Sequence, residues 1–194
     1  MSLRVVAQHV TSAQLLVDNV SRYVSIGAGV VFYLAFLKGC TDETVKTAVS
    51  SLVTTKIFLL NVDRVADEET KAQGGPRAKP NALAETPFGD VLVVPQATLA
   101  GKAKGKVVQY HQQIEKDEGL RLYQLFVGEL SSALLLGDAA AAERDANGCF
   151  APLPSSTTID ESTLRRRQVL FGTYGNRQGL QLVSDGPFSH SFEF

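Results

Sequence analysis

The chain is poor in cysteine, in charge of one sign and in long apolar runs. Its two cysteines, Cys40 and Cys149, cannot build a disulfide framework. The absence of any C-x-x-C pair excludes a zinc ribbon or a thioredoxin-type site. None of the three histidines, His9, His111 and His190, stands at ligand spacing from another, so no metal site is expected. Each is expected to be a satisfied structural or surface residue. The 19 Lys+Arg against 20 Asp+Glu give a net charge of −1, which excludes a histone-like, bulk electrostatic binder of nucleic acid. A sum hides its distribution, so a local basic patch stays open. The longest apolar run, residues 30–37, is far short of the ~20 residues of a membrane span. The first residues contain no apolar core of a signal peptide. A cytoplasmic, reducing location with no membrane contact is the expectation.

What is present is enough for one globular domain covering 1–194, with 44% hydrophobic and 20% charged residues. Residues 2–17 read as a strand pair, from the alternation of Leu3, Val5, Ala7 and Val10 and its resumption at Leu15. Residues 20–26 read as a short strand, Gly27-Ala28-Gly29 as a tight hairpin turn, and 30–37 as an apolar strand suited to mid-sheet. Thr41 or Asp42 can cap a helix running to about residue 55, with Val45, Val49, Leu52 and Val53 on one face. Residues 56–60 return as strand.

Residues 61–88 hold Gly74-Gly75-Pro76 and Pro80, show no apolar period and read as an inserted loop. Residues 90–98 are a strand, followed by Lys102, Lys104 and Lys106 in a glycine-containing loop. Residues 117–136 form the strongest helical pattern, with Leu120, Tyr123, Val127, Leu130 and Leu134 in one stripe and Gly137 as its stop. Residues 138–163, with an alanine tract and two prolines, are a second insert, and 165–174, 180–183 and 189–194 are closing strands. Two helices cannot cover both faces of a doubly wound sheet. The order predicts an α/β three-layer β/β/α sandwich, or an α+β barrel-like sheet.

Several chemical signals are weak. Gly27-Ala28-Gly29 lacks the third glycine and the following helix of a dinucleotide site. The stretch 101–106 is one residue too short for a phosphate loop, and Val107 stands where Ser or Thr would hold magnesium. Its three lysines suit phosphate contact and a solvated loop equally. Arg165-Arg166-Arg167 is either a solvated face or, with Arg177, a phosphate-facing surface.

Two segments are less ordinary. Pro95 ends a valine-rich strand and cannot donate to a ladder. The N–H groups of Gln96, Ala97 and Thr98 are then expected to be free to face a ligand. In Asp185-Gly186-Pro187-Phe188 the glycine permits close approach to its carbonyl and the proline fixes the backbone. By themselves both segments are more often plain turns.

These segments carry a resemblance. Pro95-Gln96-Ala97-Thr98-Leu99 is similar to the Ser-Gln-x-Thr-Leu segment of D-aminoacyl-tRNA deacylases, with Pro for Ser and Ala for Phe. Asp185-Gly186-Pro187-Phe188-Ser189-His190 resembles that family's C-terminal Gly-Pro motif, and residues 3–10 its opening strand. Gln109-Tyr110-His111 and residues 172–178 extend the match toward the animalia-specific branch, from which Asp185 (usually Asn) and Ser189 (usually Thr) depart.

The resemblance implies a homodimer in which Gly186-Pro187 of one subunit enters the other's pocket and reads the amino acid through backbone carbonyls. The substrate is the ester of a misacylated tRNA, and no cofactor is implied. Gln96, Ala97, Thr98, Gly186 and Pro187 are the implied catalytic set; Pro95, Lys104, Tyr110, His111, Phe188 and His190 the implied substrate-binding set. Main-chain N–H groups would hold the oxyanion, and the ribose 2′-hydroxyl would assist a water. Tyr110 would stack on the terminal adenine. A trans Gly186-Pro187 bond, as in that branch, would admit L-alanyl-tRNA(Thr) beside D-aminoacyl esters. The alternatives are a strict D-aminoacyl-tRNA deacylase and a non-catalytic nucleic-acid binder on the same fold. The inserts carry net charges of −1 and −4, so the remainder carries +4, which suits an RNA substrate.

Overall fold

The computed structural model describes residues 1–58, 80–86, 89–135, 143–149, 167–186 and 188–194. In chain order the elements are β1 (Leu3–Val10), β2 (Ser12–Leu16), β3 (Tyr23–Ile26), β4 (Gly29–Phe36), α1 (Asp42–Thr54), β5 (Asp90–Pro95), β6 (Lys102–Lys104), β7 (Val107–Gln109), α2 (Lys116–Leu134), β8 (Val169–Phe171), β9 (Leu180–Val183) and β10 (Ser189–Glu193).

A five-stranded sheet in the order β10-β1-β4-β5-β8 forms the middle layer. A three-stranded sheet, β3-β2-β9, covers one of its faces, and α1 and α2 cover the other. This is the expected β/β/α sandwich. Strand β4 explains why it forms. Val30, Phe32 and Leu34 point into the core shared with the helices, where Val45, Leu52, Leu122 and Phe126 also lie. Val31 points into the core between the sheets, with Val10, Leu15, Ile26, Leu92 and Leu170. A strand buried on both faces has to be apolar throughout, as 30–36 is. β4, β5 and β8 run parallel, whereas β1 is antiparallel to both β4 and β10.

Asp90 fastens the entry of the parallel strands. Its carboxylate accepts from the Gly27 N–H at 2.9 Å and the Gln168 N–H at 2.9 Å, and its own N–H donates to the Ala28 carbonyl at 3.1 Å. A Cβ on Gly29 would sit 1.9 Å from the Asp90 carbonyl oxygen, so only glycine lets β4 start this close to β5.

Several expectations need correction. Residues 2–17 are not a strand pair: β1 lies in the large sheet and β2 in the small one, each paired elsewhere. Gly27-Ala28-Gly29 is not a hairpin turn but the crossing from the small sheet to the large one. Residues 102–109 are a β-hairpin and not a loop, closed by Gly105 at φ 61°. On α2, Leu120 faces solvent while Gly119, Leu122 and Phe126 are buried, so the apolar stripe lies one position away from Leu120. Thr41 caps α1, accepting from the Thr44 N–H at 3.2 Å.

Parts of the two expected inserts are packed against the body. Phe58 pairs with Asn81, and Leu83 is fully buried against the helices, so 80–86 belongs to the packed body. In 143–149, Asn147 is buried and donates to the Phe171 carbonyl at 2.9 Å. Gly137, Arg165, Arg166 and the remainder of both inserts lie outside the described residues. Arg167 is no part of a phosphate-facing surface. It is buried, donates to the carbonyls of Gly89 at 2.8 Å and Thr86 at 2.7 Å, and desolvation pulls its pKa down to about 10.

Arg121 on α2 bridges the helices, bonding Asp42 at 2.6 Å and Glu118 at 2.7 Å. Hydrogen bonding to this guanidinium holds both carboxyls below their ordinary values of 3.8 and 4.5. A depressed folded-state pKa stabilises the protein above the unfolded value and loses that contribution as pH falls through the folded one. Urea unfolding of Arg121→Gln is therefore expected to show a shallower loss of stability below about pH 4.5 than the unaltered chain. Because the pair is exposed, the variant should match it closely in high salt.

Candidate active site

A cleft of about 410 Å3 opens at the carboxyl ends of the parallel strands. This is where open α/β sheets place ligands, because the chain leaves the sheet there and frees backbone groups. Leu34 to Phe36 of β4 and Pro95 of β5 form its floor, Gln96 and Ala97 one side, and Gln113, Ile114, Lys116 and Tyr174 to Asn176 the other.

The Pro95 segment shapes one wall. Gln96 is not free as expected: its N–H donates to the Leu34 carbonyl at 2.7 Å, continuing the ladder one residue beyond the proline. The chain then winds into a 3-10 turn, Ala97–Ala100. The Leu99 N–H reaches back to the Gln96 carbonyl at 3.1 Å, and that of Gly101 to Thr98 at 3.0 Å. The first two N–H groups of such a turn, Ala97 and Thr98, have no carbonyl behind them to use. They make no hydrogen bond among the described residues. Ala97 lines the cleft; Thr98 stands just outside its lining. Arg4 braces the turn from β1, donating to the Leu99 carbonyl at 2.8 Å while paired with Glu193 at 3.2 Å.

The opposite wall depends on a tyrosine that sequence reasoning did not single out. The Tyr174 ring leans on Tyr123 with centroids 5.5 Å apart, and burial raises the pKa of its phenol. Its hydroxyl occupies the space that a Cβ on Gly119 would need, 2.0 Å away. Tyr123 is itself fixed, donating to the carbonyls of Gly172 at 2.9 Å and Val93 at 3.2 Å. Lys116, in the first turn of α2, brings a cation to the same wall. Besides the matched segment 172–178, a glycine inside an otherwise strong helical pattern is the sequence signal for this arrangement, since glycine there is unfavourable unless something needs the room.

The remaining candidates are dispersed. Lys104 is exposed on the hairpin, and Tyr110 lies at the hairpin root, its ring 2.9 Å from where a Cβ on Gly101 would sit. His111 is exposed in the turn beyond it. Gly186, Phe188 and His190 are at the far end of the sheet. β10 begins with Ser189 opposite Gln8, which faces Val31, whereas Pro95 faces Leu34. Three strand spacings across and three residues along separate them, roughly 17 Å. One chain does not bring the two motif segments together.

At that far end the Gly186 carbonyl accepts from the Phe188 N–H at 2.8 Å and from the Ser184 hydroxyl. Phe188 is half exposed and meets His9 edge-on, with centroids 6.5 Å apart. His9 is not a satisfied core histidine. It is buried, Nδ1 lies 3.8 Å from Asp185, and neither ring nitrogen has a hydrogen-bond partner among the described residues. Pro187, and with it the Gly186-Pro187 isomer, lies outside the described residues. Among the described residues no group of three His, Cys, Asp or Glu side chains could hold a metal, and no helix is long and apolar enough to cross a membrane.

Residues 6–193 match the family model described as D-Tyr-tRNA(Tyr) deacylase. The chain is 38% identical over 191 residues to a putative D-tyrosyl-tRNA(Tyr) deacylase 2 of Leishmania major, covering 96% of this chain and 98% of that one. It is 35% identical over 199 residues to D-aminoacyl-tRNA deacylase 2 of Danio rerio, covering 100% of both. A solved structure of a probable eukaryotic D-amino acid tRNA deacylase superposes with TM-score 0.77 at 37% identity, covering 99% of each chain. The c-Myc DNA unwinding element binding protein, at TM-score 0.66, 17% identity and 98% of each chain, shares the fold.

The Gly119–Tyr174 contact makes a test that runs against helix propensity. Gly119→Ala would gain about 1 kcal/mol in an open helix. Here it is expected to destabilise the protein by about 1–3 kcal/mol through overpacking. In a Tyr174→Ala background the same change should become stabilising. Urea unfolding of the four proteins measures the coupling, and additivity would remove Tyr174 as its cause.

Proposed function

The chain belongs to the D-Tyr-tRNA(Tyr) deacylase family and is an aminoacyl-tRNA deacylase, and we propose that its site is the β4–β5 cleft completed by the Gly186-Pro187 segment of a second copy. The observation that carries this reading is the pair of unbonded N–H groups of Ala97 and Thr98 at the cleft edge. Attack of water on an ester carbonyl builds negative charge on its oxygen. Fixed main-chain donors at that point stabilise the charge without having to reorganise. Gln96 shapes the turn and its N–H stays in the sheet, so Ala97 and Thr98 take the oxyanion role. The lining holds no nucleophile–histidine–acid set. This agrees with a reaction in which the substrate's own ribose 2′-hydroxyl assists the water, as the family resemblance implies. The acyl bond breaks to free amino acid and the tRNA 3′-terminal hydroxyl.

The second copy enters because the motif segments lie at opposite ends of the sheet within one chain. A two-fold axis could bring one end of each copy to the other. Phe188, exposed beside Gly186, and His190 on the edge strand would then reach the partner's cleft together with the Gly-Pro backbone. In this reading Tyr110, at the hairpin root, stacks on the terminal adenine, with His111 following it. The substrates in this reading are D-aminoacyl-tRNA and L-alanyl-tRNA(Thr), cleared in the cytoplasm as translation quality control.

Substrate range is tested by deacylation of D-Tyr-tRNA, D-Ala-tRNA and L-Ala-tRNA(Thr). Cleavage of all three is expected, and inertness toward L-Ala-tRNA(Thr) would leave the strict D-specific enzyme. The shared site is tested by complementation. Ala97→Pro removes one N–H at a position where a helical turn tolerates proline, and is expected to lower kcat about 10²–10³-fold. Gly186→Val should block the Gly-Pro approach. Neither variant is active alone, but after unfolding and refolding together the mixture should recover about a quarter of the wild-type rate, because half the dimers then hold one intact site. No recovery would place both segments in one chain's site.

A further inference from the structure

We propose that the β6–β7 hairpin is a handle that grips the sugar–phosphate backbone of the acceptor end of the RNA whose ester lies in the cleft; the identity of the RNA rests on the deacylase reading. The hairpin grows out of the cleft wall. Gln96 and Ala97 line the cleft before it, and Gln113 and Ile114 after it. Its return leg is sewn to the end of β4, with Leu37 bridging Gln113 and the Lys38 N–H donating to the Gln112 carbonyl at 2.8 Å. An acyl group seated in the cleft therefore leaves the rest of its carrier outside the mouth, beside residues 102–109.

The two faces of the hairpin differ. The register sets Lys102 opposite Gln109 and Lys104 opposite Val107, so these four share one face, while Ala103 and Val108 share the other. Val108 and Tyr110 close on Gly101, where a Cβ would lie 2.6 Å from Val108 Cγ1. Arg4 holds the carbonyls of Leu99 and Gly101. A bare two-stranded hairpin is marginal in water; this packing and bracing at the root fix its direction. Lys102 and Lys104 are then presented about 6.7 Å apart, the scale of the separation between neighbouring phosphates of a nucleic-acid strand. Lys106 extends the row from the turn.

The charge has no internal use. From Gln96 to Ile114 the chain holds these three lysines and no acid. All three are exposed, and none makes an ion pair among the described residues. Three ammonium groups on one short hairpin repel each other, and a phosphate backbone supplies the missing counter-charge with release of its own counterions. The half-exposed Val107 on the same face offers apolar contact to ribose.

The test is the triple variant Lys102→Gln, Lys104→Gln, Lys106→Gln in the full chain. Its affinity for uncharged tRNA, read by fluorescence anisotropy at about 0.1 M salt, is expected to fall at least about tenfold. The slope of log K against log salt should shrink by about 2, near 0.7–0.9 for each phosphate that is no longer neutralised. The loss of kcat/KM on aminoacyl-tRNA should exceed that on the same aminoacyl ester of adenosine at least tenfold. Replacing the three lysines by arginine should keep the binding. Unchanged tRNA affinity and slope, or equal loss on both esters, overturns the proposal. A changed sedimentation coefficient also overturns it, by assigning the hairpin to contact with a second copy. If the unaltered protein cleaves neither ester, the deacylase reading fails, and the anisotropy result still decides the hairpin.

Discussion

The parallel pairing of β4 with β5 fixes both the two cores and the position of the cleft. Both strands are buried on both faces, so a slip of one residue would drive apolar side chains out of two cores at once. Asp90 locks the register at the entry by tying Gly27 and Gln168 to the start of β5. At the exit the locked register puts Leu34 beside Pro95, and the Gln96 N–H closes the last ladder bond on Leu34. The 3-10 turn can only begin after that bond. Ala97 and Thr98, and no other residues, are thereby left with open N–H groups at the head of the turn. The chemistry of the cleft is thus a consequence of where a parallel ladder runs out.

The opposite wall is held by mutual exclusion. Tyr174 stands where it does because Gly119 has no side chain, and Tyr123 beneath it is fastened to the carbonyls of Val93 within β5 and Gly172 just beyond β8. Both walls therefore refer to the same parallel strands. Charge is sorted by burial. Arg167, at the entry end of the parallel strands and away from the cleft, is withdrawn into the body to satisfy the carbonyls of Gly89 and Thr86, while the lysines of the hairpin are exposed. A near-neutral chain can in this way offer a basic surface at one place.

Much of the architecture was legible in the sequence because it depends on periodicity. The alternation in β1, the unbroken apolar run of β4 and the capped amphipathic pattern of α1 each reflect a face that must be buried, and each element appears where expected. What failed had a common cause. Whether β1 pairs with β2, or whether Gly27-Ala28-Gly29 turns back on itself, depends on which sheet each strand joins, and the same alternation serves either sheet. Leu83 and Asn147 fall within the stretches that read as inserts because a single anchoring residue has no period to detect, yet both are buried. Arg167 read as part of a cationic run because its carbonyl partners are remote in sequence.

The layers follow from burial patterns local to each element, and the family from short segments whose residue types are chemically particular: a proline that ends a strand, and a glycine followed by a proline. Which atoms of those segments are available depends on the packing of distant elements. That packing spent the Gln96 N–H on the sheet, left those of Ala97 and Thr98 open, gave the second wall to Tyr174 through Gly119, and set Gly186 at the opposite end of the sheet from Pro95. A hydrogen bond is satisfied by whatever lies nearest in space. For these residues the nearest partners are supplied by strands and helices tens of residues away.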